Sequence, residues 1–311
     1  MSPLRAGYRV LDVSDAVQGV KIPVRVLYPT DAAERRERLG PYEMDVAPDA
    51  AITGTRLPLA VISHGGRATA LTYRGMARAL THAGFVVAMP EHIGDCRSDS
   101  SLSGKAVNLE NRPRHLRLTI DACLADAFVG PHIDSQRIGL IGHSMGGYTA
   151  LALTGGKPSA GPHETDDGTV RTVAASTDPR IRAVVLMTPG CAWYGEPGSL
   201  AGIRVPMLLL IGEKDEHARY LHPEYIARDC DPALIDQRVI ADAGHHAFQS
   251  PFPPRMCRPD FPPSWDPPGF DREAFQPVLY EAVLSYLRRQ LDRPAAGTTT
   301  SAHLDGSPAH P

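Results

Sequence analysis

The chain has 311 residues, 42% of them hydrophobic and 22% charged, enough to bury a substantial core as one α/β domain. A formal net charge of -3, with basic residues scattered or interleaved with acids, leaves no electrostatic footprint for nucleic acid. No apolar run nears the roughly 18 residues that span a bilayer, and five cysteines without Cys-x-x-Cys spacing suggest neither a disulfide framework nor a zinc site.

The N-terminal stretch Met1 to Val10 lacks the apolar region of a secretory signal, so a cytoplasmic location is expected. Tyr8 to Val13 and Val20 to Tyr28 are short alternating or β-branched runs around Gly19, which predicts an antiparallel hairpin at the edge of a sheet. Glu34-Arg35-Arg36-Glu37-Arg38 reads as a solvated loop. From about residue 57 strands and helices alternate, the pattern of a mostly parallel sheet covered by helices on both faces.

Leu57 to Ser63 predicts a buried strand that delivers the turn His64-Gly65-Gly66, followed by a helix over 71–83 and a strand over Phe85 to Met89. Glu91 to Arg112 is long and polar, as functional loops often are. Apolar positions at Leu116, Ile120, Cys123, Leu124 and Ala127 predict a helix from Arg114 to Phe128, and Arg137 to Ile141 predicts the next strand.

Residues 155–179 are rich in Gly, Pro, Ser, Thr and Asp and predict an excursion from the core that builds a lid or rim. Strands follow at Ile181 to Met187, Val205 to Ile211 and Gln237 to Ile240. The proline-rich stretch Pro251 to Pro268 is incompatible with regular structure, Glu273 to Leu291 predicts a closing helix, and the composition beyond Arg293 predicts disorder. The expected organisation is a single domain over 1–292 with a tail at 293–311.

Gly142-His143-Ser144-Met145-Gly146 falls between the strand ending at Ile141 and a helix beginning near Met145, the context of a strand-to-helix turn that lifts a nucleophilic serine clear of a sheet. Gly142 and Gly146 supply the absence of side chains that such a turn needs. A serine hydroxyl requires an imidazole to accept its proton and a carboxylate to orient the imidazole. Strand-end positions in the chain order serine, acid, histidine give Asp215 and His245. Glu213 and Glu216 compete for the acid role, and His246 for the base.

Acyl transfer also requires two donors for a tetrahedral oxyanion. Met145 N–H is one; the second comes from the glycine turn, with Gly66 chosen and Gly65 second. Trp193 and Tyr194 are candidates for a substrate pocket or for ordinary packing, with Gly65, His143 and His246 also placed near it, and Cys191 reads as a small buried hydrophobe. The thirteen histidines include no metal-ligand spacing, and His163-Glu164-Thr165-Asp166-Asp167 reads as a polar loop, so neither metal nor cofactor is expected.

With Val26-Leu27-Tyr28-Pro29-Thr30, Leu39-Gly40-Pro41-Tyr42, Ile62-Ser63-His64-Gly65, the serine turn, Gly212-Glu213-Lys214-Asp215, Ala243-Gly244-His245 and Asp266 to Arg272 as anchors, residues 7–290 resemble a family within the α/β-hydrolase superfamily. These are the predicted dienelactone hydrolases, similar also to platelet-activating-factor acetylhydrolases and bacterial polyester and phthalate-ester hydrolases. The resemblance implies the α/β-hydrolase fold and a cofactor-free hydrolase, with Ser144, Asp215 and His245 at the triad positions and Gly66 and Met145 at the oxyanion positions. True dienelactone hydrolases carry a cysteine nucleophile where this chain has Ser144, so the lactone substrate does not carry over.

The expected activity is hydrolysis of a carboxylic ester of a small molecule through an acyl-enzyme. Amidase, peptidase and acyltransferase chemistry use the same three residues, because leaving-group choice depends on pocket shape rather than on the triad. A ligand-binding protein that kept the fold and lost catalysis is the reading least in keeping with an intact triad.

Overall fold

The computed structural model describes residues 3–217 and 221–293. Strands β1 (Arg5–Asp15) and β2 (Val20–Thr30) pair antiparallel from Arg5 opposite Thr30 to Asp15 opposite Val20. Gly19, at φ 74°, supplies the left-handed backbone of their turn.

This hairpin is not the sheet edge. Outside it lie β3 (Arg35–Leu39) and β4 (Tyr42–Pro48), an antiparallel pair whose β4 runs parallel to β1. The charged run expected to be a loop is therefore the edge strand. Its side chains pair across the ladder, Arg36 with Glu43 and Asp45, and such a charged edge discourages the addition of foreign strands. Glu34 is not solvated either: its carboxylate accepts from Ala6 N–H at 2.8 Å, Arg78 at 2.8 Å and His82 at 2.7 Å.

The core of the sheet is built from β5 (Leu57–Ser63), β6 (Val86–Pro90) and β7 (Ile133–His143). The excursion after residue 155 holds a small ribbon, β8 (Ser159–Ala160) with β9 (Arg171–Thr172), and then come β10 (Ile181–Met187), β11 (Met207–Gly212) and β12 (Ile235–Ile240). The ten-stranded order is β12-β11-β10-β7-β5-β6-β2-β1-β4-β3, parallel from β12 through β6. The chain passes from β5 to β6 on one side and later to β7 on the other. That reversal opens a crevice at the carboxyl ends of the strands, where ligands of open α/β sheets bind.

Helices α1 (Arg74–His82), α2 (Ala106–Ala125), α3 (Met145–Leu153), α4 (Glu224–Asp229) and α5 (Arg272–Leu291) complete the fold. Alternate strand residues feed two cores, as the two-residue period of a strand requires. Leu59, Val61, Leu140, Val184 and Leu186 meet Leu116 and Ile120 of α2 and Leu151 of α3. Ala60, Ile62, Ile141, Val185 and Met187 meet Met76 and Leu80 of α1 and Val283 and Leu287 of α5. Each fully buried Leu, Ile or Val contributes about 1.5–3 kcal/mol relative to exposure.

Helix α2 begins eight residues before the expected Arg114, because Pro113 marks a false boundary. Proline removes the N–H that would bond to the carbonyl four residues back. Tyr148 Oη–H donates to that carbonyl, Leu109 O, at 2.9 Å, so a residue of α3 supplies the missing donor. The proline-rich segment contains two single 3-10 turns, Pro254–Met256 and Pro262–Ser264, each opened by a proline that the first position of such a turn tolerates. Among the described residues no helix is long and apolar enough to cross a membrane. The tail expected from 293 lies, from 294 on, outside the described residues.

Candidate active site

Ser144 occupies the single position between β7 and α3, with φ 54° and ψ -119°. Only surroundings without side chains allow this turn. A Cβ on Gly142 would lie 2.3 Å from Gly146 O, and one on Gly146 would lie 2.0 Å from Ser63 O. The turn is held by Ser144 N–H to Met187 O at 3.1 Å, and by Ser144 O accepting from Gly147 and Gly190 N–H at 2.8 Å each.

Asp215 sits in the turn after β11, and His245 begins a short 3-10 turn after β12. His245 Nδ1–H donates to Asp215 Oδ2 at 2.9 Å, which leaves Nε2 of the neutral ring as the proton acceptor. Asp215 also accepts from Thr188 Oγ1–H and, at 2.8 Å on Oδ1, from His217 N–H. Burial opposes the charge on Asp215. The hydrogen bond and charge of His245, with those from Thr188 and His217, nonetheless hold its carboxyl down to about 2.

Neither competing carboxylate reaches the imidazole. Glu213 accepts from Asp242 N–H at 2.9 Å, and Glu216 accepts from the backbone N–H of His245 at 3.3 Å. His246 lines the same cavity without a carboxylate partner, and burial, then the charges of His245, Arg272 and His217, push its ring down to about 3.

Ser144 and His245 line one cavity of about 410 Å³, within the range of small-molecule sites. Gly66 and Met145 line it too, and their N–H groups have no protein acceptor among the described residues. Gly65 lies beneath, where an added Cβ would stand 3.4 Å from Ser144 Cβ and His143 Nδ1.

The glycine turn is braced by a buried guanidinium that sequence reasoning passed over. Arg112 of α2 donates to His64 O, to Asp95 Oδ2 at 2.8 Å and to Thr149 Oγ1 at 3.0 Å. Asp95 in turn accepts from Arg67 N–H and Asn108 Nδ2–H, each at 3.1 Å. Behind the turn runs a line of buried imidazoles: His115 Nε2–H donates to Gln18 Oε1 at 2.7 Å, His92 lies 3.2 Å from His115, and Ser63 Oγ lies 2.8 Å from His92. Burial, foremost, pushes His92 well below its ordinary value and His115 to about 3. These residues sit on separate elements and form no local motif.

The pocket candidates separate. Trp193 lines the cavity and donates Nε1–H to the Glu164 carboxylate at 2.9 Å. Tyr194 does not line it. The turn Ala192–Tyr194 sends neighbouring rings to different sides, and Tyr194 is 0% exposed with its hydroxyl on Tyr148 O at 2.9 Å. His143 is likewise buried beneath the cavity, not in its wall. Cys191 is fully buried, and burial pushes its thiol up. The polar segment after Glu91 contributes Asp95, Lys105, Asn108 and Leu109, and the excursion after 155 contributes Glu164.

The absence of a metal motif in the sequence left one cluster unnoticed. Glu216, His217 and His246 offer three ligand atoms within 4.8 Å of one another, brought together from turns after two different strands.

Residues 57–195 match the family model Hydrolase_4, described as serine aminopeptidase, S33. Among solved structures the chain is similar to a ferulic acid esterase from Streptomyces cinnamoneus, with a TM-score of 0.65 and 20% identity over 94% of each chain. It is also similar to a dienelactone hydrolase from Anabaena variabilis ATCC 29413, with a TM-score of 0.49 and 16% identity over 78% of this chain and 88% of that one. No curated protein sequence matches significantly. At 20% identity the likeness to the esterase is one of fold.

Proposed function

We propose that this chain, which has the α/β-hydrolase fold, is a serine esterase acting on small molecules through an acyl-enzyme. The observation that carries this reading is the bond from His245 Nδ1–H to Asp215 at 2.9 Å, in a cavity wall shared with a serine on a left-handed turn. Asp215 fixes the imidazole tautomer and stabilises its charged form.

In the proposed reaction Ser144 Oγ attacks the acyl carbon as His245 Nε2 takes its proton. The resulting oxyanion accepts from Gly66 and Met145 N–H, donors preorganised by the braced turn and by the first residue of α3. Collapse expels the alcohol, which takes the proton from the imidazolium, and water repeats the sequence to release the acid. No metal or cofactor enters these steps.

The family description is that of an aminopeptidase, whereas one solved structure similar over 94% of both chains is a ferulic acid esterase. The choice between amide and ester is therefore put to one experiment: p-nitrophenyl esters of graded chain length and matched anilides, assayed with wild type and Ser144→Ala. Ester cleavage that depends on Ser144 supports the proposal. Anilide cleavage at comparable kcat/KM moves the assignment to amidase, and ester cleavage retained by Ser144→Ala removes the mechanism.

A further inference from the structure

Three side chains with no part in the proposed triad converge beside His245. Glu216 and His217 follow Asp215 in one turn, and His246 follows His245 in another; their ligand atoms lie within 4.8 Å of one another. Glu216 Oε1 and His217 Nε2 are 3.8 Å apart. The His217 and His246 rings stand edge-on to His245, at 4.7 Å and 5.1 Å between centroids, and both line the cavity that holds Ser144.

His246 is the anomalous member. Its Nδ1 is buried and has no hydrogen-bond partner among the described residues. Of the imidazoles beside it, His143 is bonded through both nitrogens and His245 is bonded to Asp215. A buried nitrogen without a partner is unfavourable unless something satisfies it.

We propose that Glu216, His217 and His246 form a binding site for a divalent transition-metal ion of the zinc class, and that its occupancy inhibits the hydrolase. Two imidazoles and one carboxylate are a zinc ligand set, whereas magnesium and calcium take oxygen ligands. Tetrahedral coordination at about 2.1 Å sets ligand atoms roughly 3.4 Å apart. Glu216 and His217 are exposed, which leaves their side chains room to rotate toward that spacing. The inhibitory half of the proposal rests on the triad reading: His217 and His246 line the cavity that holds Ser144 and His245, so an ion on their rings stands where the acyl substrate must enter.

The test titrates ZnCl2 into the full chain, stripped of metal, by calorimetry, and repeats it on Glu216→Gln and His217→Ala after a thermal melt has checked that each folds. One saturable site is expected, at least tenfold weaker in both variants and silent to MgCl2. No saturable zinc binding, or unchanged affinity in both variants, overturns the site. In parallel, labelling of Ser144 by a fluorophosphonate is expected to slow at least tenfold in wild type at saturating zinc and to recover with EDTA. Zinc binding with an unchanged labelling rate overturns the inhibition. Failure of Ser144 to label without zinc overturns the esterase reading and the inhibition with it, while the calorimetry decides the site independently.

Discussion

His143, the residue that ends β7, donates Nε2–H to the backbone carbonyl of His245 at 2.8 Å. Its Nδ1 accepts from Tyr73 Oη–H, also at 2.8 Å, and burial, foremost, holds the ring well below its ordinary pKa, in the neutral form this pair of bonds needs. The strand that presents Ser144 thus also grips the residue proposed as its base.

His143→Phe is expected to lower kcat tenfold or more with little change in KM, because the base is displaced while the cavity wall is kept. It should also cost about 1–3 kcal/mol of stability for the buried partners left unpaired. His143→Gln, whose amide both donates and accepts, should recover part of both losses. Steady-state kinetics with urea unfolding decide it; equal kcat in wild type and His143→Phe would remove the positioning role.

What was legible in the sequence was local. Gly142 to Gly146 are contiguous and carry their own steric logic, and Asp215 and His245 each follow a short apolar run. The edge pair β3 and β4 was hidden because its residues are charged, although Arg36 and Arg38 around Gly40-Pro41 face Asp45 and Glu43 across the ladder, a signal present in the sequence. The start of α2 was hidden because the donor that compensates Pro113 belongs to Tyr148, far along the chain. Trp193 and Tyr194 could not be told apart, since the turn that separates them is set by packing. Arg112, Asp95 and the Glu216, His217 and His246 cluster are nonlocal, and no periodicity encodes them.

The backbone at Ser144 stores strain that glycine would not feel. A non-glycine residue held in a sparsely populated region costs about 1–3 kcal/mol. Ser144→Gly is therefore expected to abolish turnover and raise the thermal midpoint, whereas Ser144→Ala abolishes turnover with little gain. A midpoint for Ser144→Gly no higher than that of Ser144→Ala would show that the turn is unstrained.

Gly146 and Gly195 give a matched pair. A Cβ on Gly146 meets Ser63 O at 2.0 Å, while one on Gly195 finds nothing nearer than 3.9 Å. Gly195 has φ -61°, open to any residue. Gly146→Ala should cost about 1–3 kcal/mol or more through forced displacement of the Ser144 turn from β5. Gly195→Ala should stay within about 0.5 kcal/mol of wild type. Unfolding of both in urea checks the contrast.

Acid lability follows from the buried imidazoles. His64, His92, His115, His143 and His246 are all shifted downward, each with burial as the largest cause. The unfolded chain therefore binds protons that the folded chain refuses, and stability falls as pH drops below about 6.5, by up to about 1.4 kcal/mol per pH unit for each histidine. Asp215 acts in a lower window. With its folded value at about 2, its contribution is complete above about 3.9 and is lost as pH falls toward 2. Urea midpoints at pH 7.5 and 5.5 should differ markedly, and His115→Gln should narrow the difference. Equal midpoints would mean these rings protonate in the folded state.

Arg112 ties together elements on both sides of the glycine turn. Its side chain is fully buried and spans three elements: α2 from which it comes, the glycine turn through His64 O, and α3 through Thr149. Removing the cation in Arg112→Met leaves Asp95 buried with its charge uncompensated, at a cost of about 3–5 kcal/mol. It also frees the carbonyl that sets the turn presenting Gly66. The expected result is a large stability loss together with a fall in kcat. Arg112→Met combined with Asp95→Asn should recover part of the stability, because the stranded charge is gone, but not the rate, because the turn remains unbraced. Recovery of both would show that Arg112 serves only to neutralise Asp95, and recovery of neither would locate its role in the bonds to His64 and Thr149 alone.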